Sequence, residues 1–207
     1  MNISKSSVLI GALCVLSASA SGAAPEEALP PAAIPPGWKL AWADEFDKPG
    51  LPDPSMWDYD TELNKRGWHN EELQYYARAR PENSRVADGK LLITARRETL
   101  SDAPDFGGQP YTSARLFTRG RYEFTYGYVE VRARLPCGLG TWPAIWMLGS
   151  EGKWPERGEI DIMEHVGKKK GEVLASFHTG AFNWPAKTQK TAVTRVESAC
   201  DAFPPTS

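Results

Sequence analysis

Apolar and polar residues alternate along short stretches of this chain, and no helical stripe is sustained for long. A period of two over four to eight residues marks a strand with one buried face. Such stretches run over Trp38–Phe46, Tyr111–Phe117, Tyr122–Thr125, Tyr128–Leu135, Trp142–Leu148 and Val173–His178. Asn83–Arg97 reads as a hairpin, because Asp88-Gly89 is a two-residue turn signal and Lys90–Arg96 follows as a strand. The segment Trp142–Leu148 predicts a buried strand. Gly and Pro punctuate the intervals, at Pro49–Pro54, residues 101–110, Gly120, Gly127 and Pro136–Gly140. Short strands at close spacing without a long amphipathic helix predict an all-β sandwich or jelly roll.

One strand breaks its own period. Glu159 and Asp161 alternate with Ile160 and Ile162, but Glu164 stands five residues after Glu159 and should face the other way. A β-bulge at about Ile162-Met163 would absorb one residue and return Glu164 to the acidic face. Three carboxylates on one face repel one another, which is costly unless chemistry uses them. Taken alone, the triple reads equally well as solvated charge on an edge strand.

Composition narrows the function classes. The 24 basic and 26 acidic residues leave a net charge of -2, with no electrostatic footprint for nucleic acid or a membrane surface. The Lys168-Lys169-Lys170 run reads as a solvated turn. Eight tryptophans are many for 207 residues, and an indole N–H needs a partner when buried, so some rings are expected to line a surface groove. Residues 1–23 carry Lys5, an apolar run from Val8 to Val15 too short to span a bilayer, and small residues from Ala18 to Ala24. That pattern predicts an export signal and a secreted protein, extracellular or periplasmic. Residues 24–37, with five prolines among alanines, read as a linker, so the domain is expected from residue 38 to 207. Export leaves Cys137 and Cys200, and an oxidising compartment favours a disulfide between them over two free thiols.

Several ordered motifs surround the acidic strand. They are Asn70-Glu-Glu-Leu-Gln-Tyr-Tyr76, Tyr111-Thr-Ser-Ala-Arg115, Tyr126-Gly-Tyr-Val-Glu130 and Trp142-Pro-Ala-Ile-Trp-Met147. Together with Glu159-Ile-Asp-Ile-Met-Glu164 they resemble glycoside hydrolase family 16, in the bulged form of its laminarinases, from about Trp38 to Phe203. The resemblance implies a jelly-roll sandwich of two curved antiparallel sheets with a sugar-binding cleft on the concave face. It implies retaining endo-hydrolysis of β-1,3-glucan, with Glu159 as nucleophile, Glu164 as acid/base and Asp161 as the nucleophile's partner. Trp142 and Trp146 would stack on sugar rings, and Arg115, Asn70 and His178 match positions near the cleft. The partner is then a β-glucan, bound by a monomer. Such a mechanism requires no cofactor, and no residue is assigned to a metal, although a structural calcium ion on the convex side is common in the family.

Three alternatives stay open from sequence. One is a β-glucan-binding relative without activity; another is action on mixed-linkage glucan, agar or carrageenan; the third is a generic sandwich adhesion module. Retention of all three acids argues against the first, and the lack of an added basic cluster argues against the charged polysaccharides. After Phe203 the resemblance predicts a His, an aromatic strand pair and further strands, where this chain reads Pro204-Pro205-Thr206-Ser207. A sandwich incomplete at that end would leave unpaired edges, so low solubility or weak activity is expected of the chain alone.

Overall fold

The computed structural model describes residues 34–203. The expected export signal, most of the expected linker and residues 204–207 lie outside the described residues. The chain divides into two compact units at Tyr126/Gly127.

In the first unit, β1 (Asp58–Tyr59) pairs antiparallel with β6 (Leu116–Phe117). The hairpin β3 (Ser84–Ala87) and β4 (Lys90–Ile93) pairs Ala87 with Lys90 across the expected two-residue turn. Asp88 and Gly89 take φ of 53° and 66°, the left-handed pair that a type I′ turn demands. β2 (Gln74–Tyr76) pairs with β5 (Tyr111–Ser113) in parallel, where antiparallel pairing was expected throughout. Parallel neighbours need a long crossover, and the 34 residues between Tyr76 and Tyr111, β3 and β4 among them, provide it.

Polar side chains, not only apolar ones, order this unit. Tyr59, Trp68, Tyr75, Val86 and Leu92 are buried, yet Asn64, Asn83, Ser84 and Thr112 are fully enclosed. Asn83 donates to the Thr94 carbonyl at 3.0 Å and to Thr112 Oγ1 at 2.8 Å, and accepts from Arg80 at 2.6 Å. Arg80 and Thr112 both donate to Glu98 at 2.7 Å, and the Arg80 hydrogen bond is the chief reason the Glu98 carboxyl falls to about 2. A buried acceptor stripped of its donor costs about 1–3 kcal/mol. Asn83→Ala should therefore lower stability by about that amount, read as a lower denaturation midpoint in urea; an unchanged midpoint would contradict this network.

The second unit is one antiparallel sheet of order β10-β9-β8-β7. Its strands are β7 (Ala144–Leu148), β8 (Glu159–Glu164), β9 (Glu172–His178) and β10 (Lys190–Arg195). Cys137 and Cys200 form a disulfide with Cα atoms 5.6 Å apart, beside a backbone bond from Leu135 N–H to the Ala199 carbonyl at 2.8 Å.

Several expected strands are absent. Residues 38–46, 122–125 and 128–135 form no strand among the described residues, and Tyr111–Phe117 splits into β5 and β6 with different partners. Alternation reports which face is apolar, whereas a strand also needs a neighbouring backbone to bond. β7 starts at Ala144, not Trp142, and is half-buried instead of buried. β10 carries no apolar alternation because all six of its residues are exposed, so its sequence gives no strand signal. No helix among the described residues is long and apolar enough to cross a membrane.

Candidate active site

β8 is an inner strand, so its register is read twice. Against β9, Glu159 faces His178, Asp161 faces Ser176 and Glu164 faces Leu174, so three steps on β8 span two on β9. Against β7, Asp161 faces Trp146 and Met163 faces Ile145, so two steps on β8 span one on β7. Both neighbours place the extra residue at Ile162-Met163. The bulge lies where the broken period put it, and it returns Glu164 to the face of Glu159 and Asp161.

Electrostatics agree with that placement. Asp161 is buried, and burial together with repulsion from the Glu159 and Glu164 carboxylates pushes its carboxyl up to about 8. A hydrogen bond shared with Glu159 adds to the rise. Asp161 therefore holds a proton at neutral pH and can donate it toward Glu159. Burial also raises the Glu164 carboxyl, opposed by the indole N–H of Trp142 and by the His178 ring, and reinforced by Glu159. Three carboxyls on one face, with those of Asp161 and Glu164 raised, make an acid/base set on one strand.

Aromatic and imidazole groups frame the acids. Trp142, half exposed, donates its Nε1–H to Glu164 Oε1 at 3.0 Å. Trp146 lies opposite Asp161 in the β7–β8 ladder. His178 is buried, with Nε2 3.3 Å from Asp161 Oδ2. Trp154 donates its Nε1–H to Glu159 Oε2 and stands 5.9 Å from the His178 ring, centroid to centroid. Sequence reasoning passed over Trp154, which lies in the loop between β7 and β8. Its signal was a tryptophan in an otherwise polar loop, five residues before Glu159.

Asn70 and Arg115 belong to the first unit. Asn70 is exposed in a short turn over His69–Glu71 with φ of 59°. Arg115 bonds Asp60 at 3.1 Å and lies 5.0 Å over the Trp68 ring, a geometry that fixes its guanidinium.

Two clusters have metal-ligand chemistry. Glu159, Asp161 and His178 bring ligand atoms within 4.8 Å of one another, as do Cys137, His165 and Cys200. In the second, the two sulfurs are bonded to each other.

A sequence model described as the XgeA-like, catalytic GH16 domain matches residues 73–203. The chain belongs to glycoside hydrolase family 16. It is 52% identical over 173 residues to a β-glucanase of Rhodothermus marinus and 44% identical over 149 residues to a glucan endo-1,3-β-glucosidase of Cryptopygus antarcticus. Those matches cover 81% and 70% of this chain, and they span 58% and 52% of the two relatives. Among solved structures, it is 52% identical to a mutant of a non-specific endo-β-1,3(4)-glucanase from family GH16 co-crystallised with 1,3-β-D-cellotriosyl-glucose. The TM-score is 0.81, covering 84% of this chain and 68% of that one. The all-β architecture is thus the jelly roll of its family.

Proposed function

We propose that the chain hydrolyses internal β-1,3 linkages of glucan with retention of anomeric configuration. The bulged acidic strand carries this reading, because it gathers Glu159, Asp161 and Glu164 on one face and raises the carboxyls of the last two. Glu159 attacks the anomeric carbon, and the bond to the leaving oxygen breaks as that oxygen takes the proton of Glu164. Water then attacks the same carbon while Glu164 takes its proton, and the Glu159 carboxylate departs. Asp161 holds the nucleophile by hydrogen bond. Retaining catalysis places the two working carboxyls about 5–5.5 Å apart, which the bulge allows for residues on one strand. Trp142 and Trp146 stack on sugar, while His178 binds a hydroxyl. The chemistry draws on carboxylates and water alone, so no cofactor is required. Export by residues 1–23 would place this activity outside the cytoplasm, on a polysaccharide substrate.

The names of the relatives, β-glucanase and glucan endo-1,3-β-glucosidase, support the substrate class. The test is laminarin digestion followed by proton NMR. Early products should be oligosaccharides with the β anomer first. Release of the α anomer first, or binding without cleavage, would overturn the mechanism, and faster cleavage of mixed-linkage glucan, agar or carrageenan would overturn the substrate.

A pH prediction follows from Glu164. Its carboxyl must be protonated to assist departure, and its raised value keeps the proton to higher pH than an ordinary carboxyl. The rate on laminarin should therefore fall on the alkaline side as that proton leaves. A dinitrophenyl β-laminaribioside, whose leaving group needs no proton, should show no such fall in its glycosylation step. Matching alkaline limbs on both substrates would remove Glu164 from the acid role.

A further inference from the structure

We infer that Trp154 is a positioning residue for the nucleophile, holding Glu159 by its indole N–H. The inference rests on the proposed reading of Glu159 and adds to it a residue outside the acidic strand.

Four side chains close a ring around the attacking group. Trp154 Nε1–H donates to Glu159 Oε2, and Glu159 shares a hydrogen bond with Asp161. Asp161 meets His178 Nε2 at 3.3 Å, and the His178 ring stands 5.9 Å from the Trp154 ring at an interplanar angle of 48°. Glu159 and His178 are also direct cross-strand partners, so two members of the ring are fixed by the ladder. A carboxylate on a free side chain turns about its last torsion, which spreads its oxygens over many directions. Donors on two sides remove that freedom before substrate arrives, and positioning of this kind lowers the barrier without changing the chemistry.

The loop that carries Trp154 is held independently of the ring. Arg157 N–H bonds the Lys153 carbonyl at 2.9 Å, Gly158 N–H the Pro155 carbonyl at 3.0 Å, and Gly149 N–H the Gly158 carbonyl at 3.2 Å. The strand ends approach so closely that a Cβ on Gly149 would lie 2.0 Å from the Arg157 carbonyl oxygen. The indole is thus presented on a braced turn. Trp142 treats Glu164 similarly from the other end of β8, at 3.0 Å. Each glutamate of the pair has its own tryptophan donor, but only Trp154 serves the one that must attack as a bare carboxylate.

The test separates positioning from sugar stacking. An activated 2-deoxy-2-fluoro-β-laminaribioside of dinitrophenol reports on the nucleophile alone. The Glu159 oxygen forms an ester bond to the anomeric carbon, the carbon–oxygen bond to the aryl group breaks, and dinitrophenolate leaves with the electron pair, with no proton required. Mass spectrometry of the full chain should find the label on Glu159. In Trp154→Phe, and in a variant carrying benzothienylalanine at position 154, which keeps the ring shape and lacks the N–H, labelling at saturation should slow at least about tenfold. The half-saturating reagent concentration should stay within about twofold, because the stacking face is retained. An undiminished labelling rate in the benzothienylalanine variant would overturn the inference, as would a change in half-saturation alone, which marks a sugar platform. Failure of the unsubstituted chain to label at Glu159 would instead remove the functional reading beneath it.

Discussion

Replacing Glu159 with Ala should lower the rate of laminarin cleavage at least about a thousandfold, about 4 kcal/mol in the barrier. The size follows from the role. A nucleophile that forms the covalent intermediate has no substitute in the first step, so its loss leaves only binding and the acid. Azide distinguishes the two glutamates. In Glu159→Ala it can enter the space left by the carboxylate, form a carbon–nitrogen bond on the α face as the glycosidic bond breaks, and yield an α-glycosyl azide. In Glu164→Ala the glycosyl-enzyme still forms from an activated aryl glycoside, and azide attacking that intermediate yields the β azide. Exchange of the two products between variants would reverse the assignments. Full activity in Glu159→Ala would end the nucleophile reading.

Asp161→Asn should make the protein more stable and less active, with a stability gain that grows with pH. The sign comes from the direction of the shift. The Asp161 carboxyl is raised from 3.8 to about 8 in the folded chain, first by burial and then by Glu159 and Glu164. Between those limits the folded form keeps a proton that the unfolded chain has released, so stability falls as pH rises. The penalty is absent below about 3.8 and complete above about 8. An amide carries no charge to desolvate and can still donate toward Glu159, so the substituted protein avoids the penalty. Melting temperatures of the two proteins should diverge from pH 5 to pH 8, while cleavage falls about 10- to 100-fold as the pairing with Glu159 weakens. A constant gap across that range would mean that Asp161 ionises as an ordinary carboxyl. Glu98 does not confuse the reading, because its lowered carboxyl protects stability above about 4.5 and loses it only as pH falls toward 2.

Both predictions concern a strand whose anomaly was legible as residue order. Glu159, Asp161 and Glu164 cannot share a face at period two, so either one is misplaced or the strand is bulged, and the register on both sides shows the bulge. The Asp88-Gly89 hairpin was equally legible, since a two-residue turn with both φ positive admits few residue pairs. In both places the information is local. It lies within a few bonds of the residues that carry it.

Partnership between distant segments is a different kind of fact. Trp38–Phe46 alternates convincingly and pairs with no strand among the described residues, whereas the fully exposed Lys190–Arg195 becomes the sheet's edge because β9 offers it a backbone. The same holds for the site. Alternation and spacing decided by themselves that three acids gather on one strand, with tryptophans nearby. Only the tertiary structure decided that His178 meets Asp161, that Trp142 reaches Glu164 and that a tryptophan from a loop closes on Glu159. Those contacts depend on how strand ends and loops are brought together in space, and hydrogen bonds between segments leave no period in the sequence that forms them.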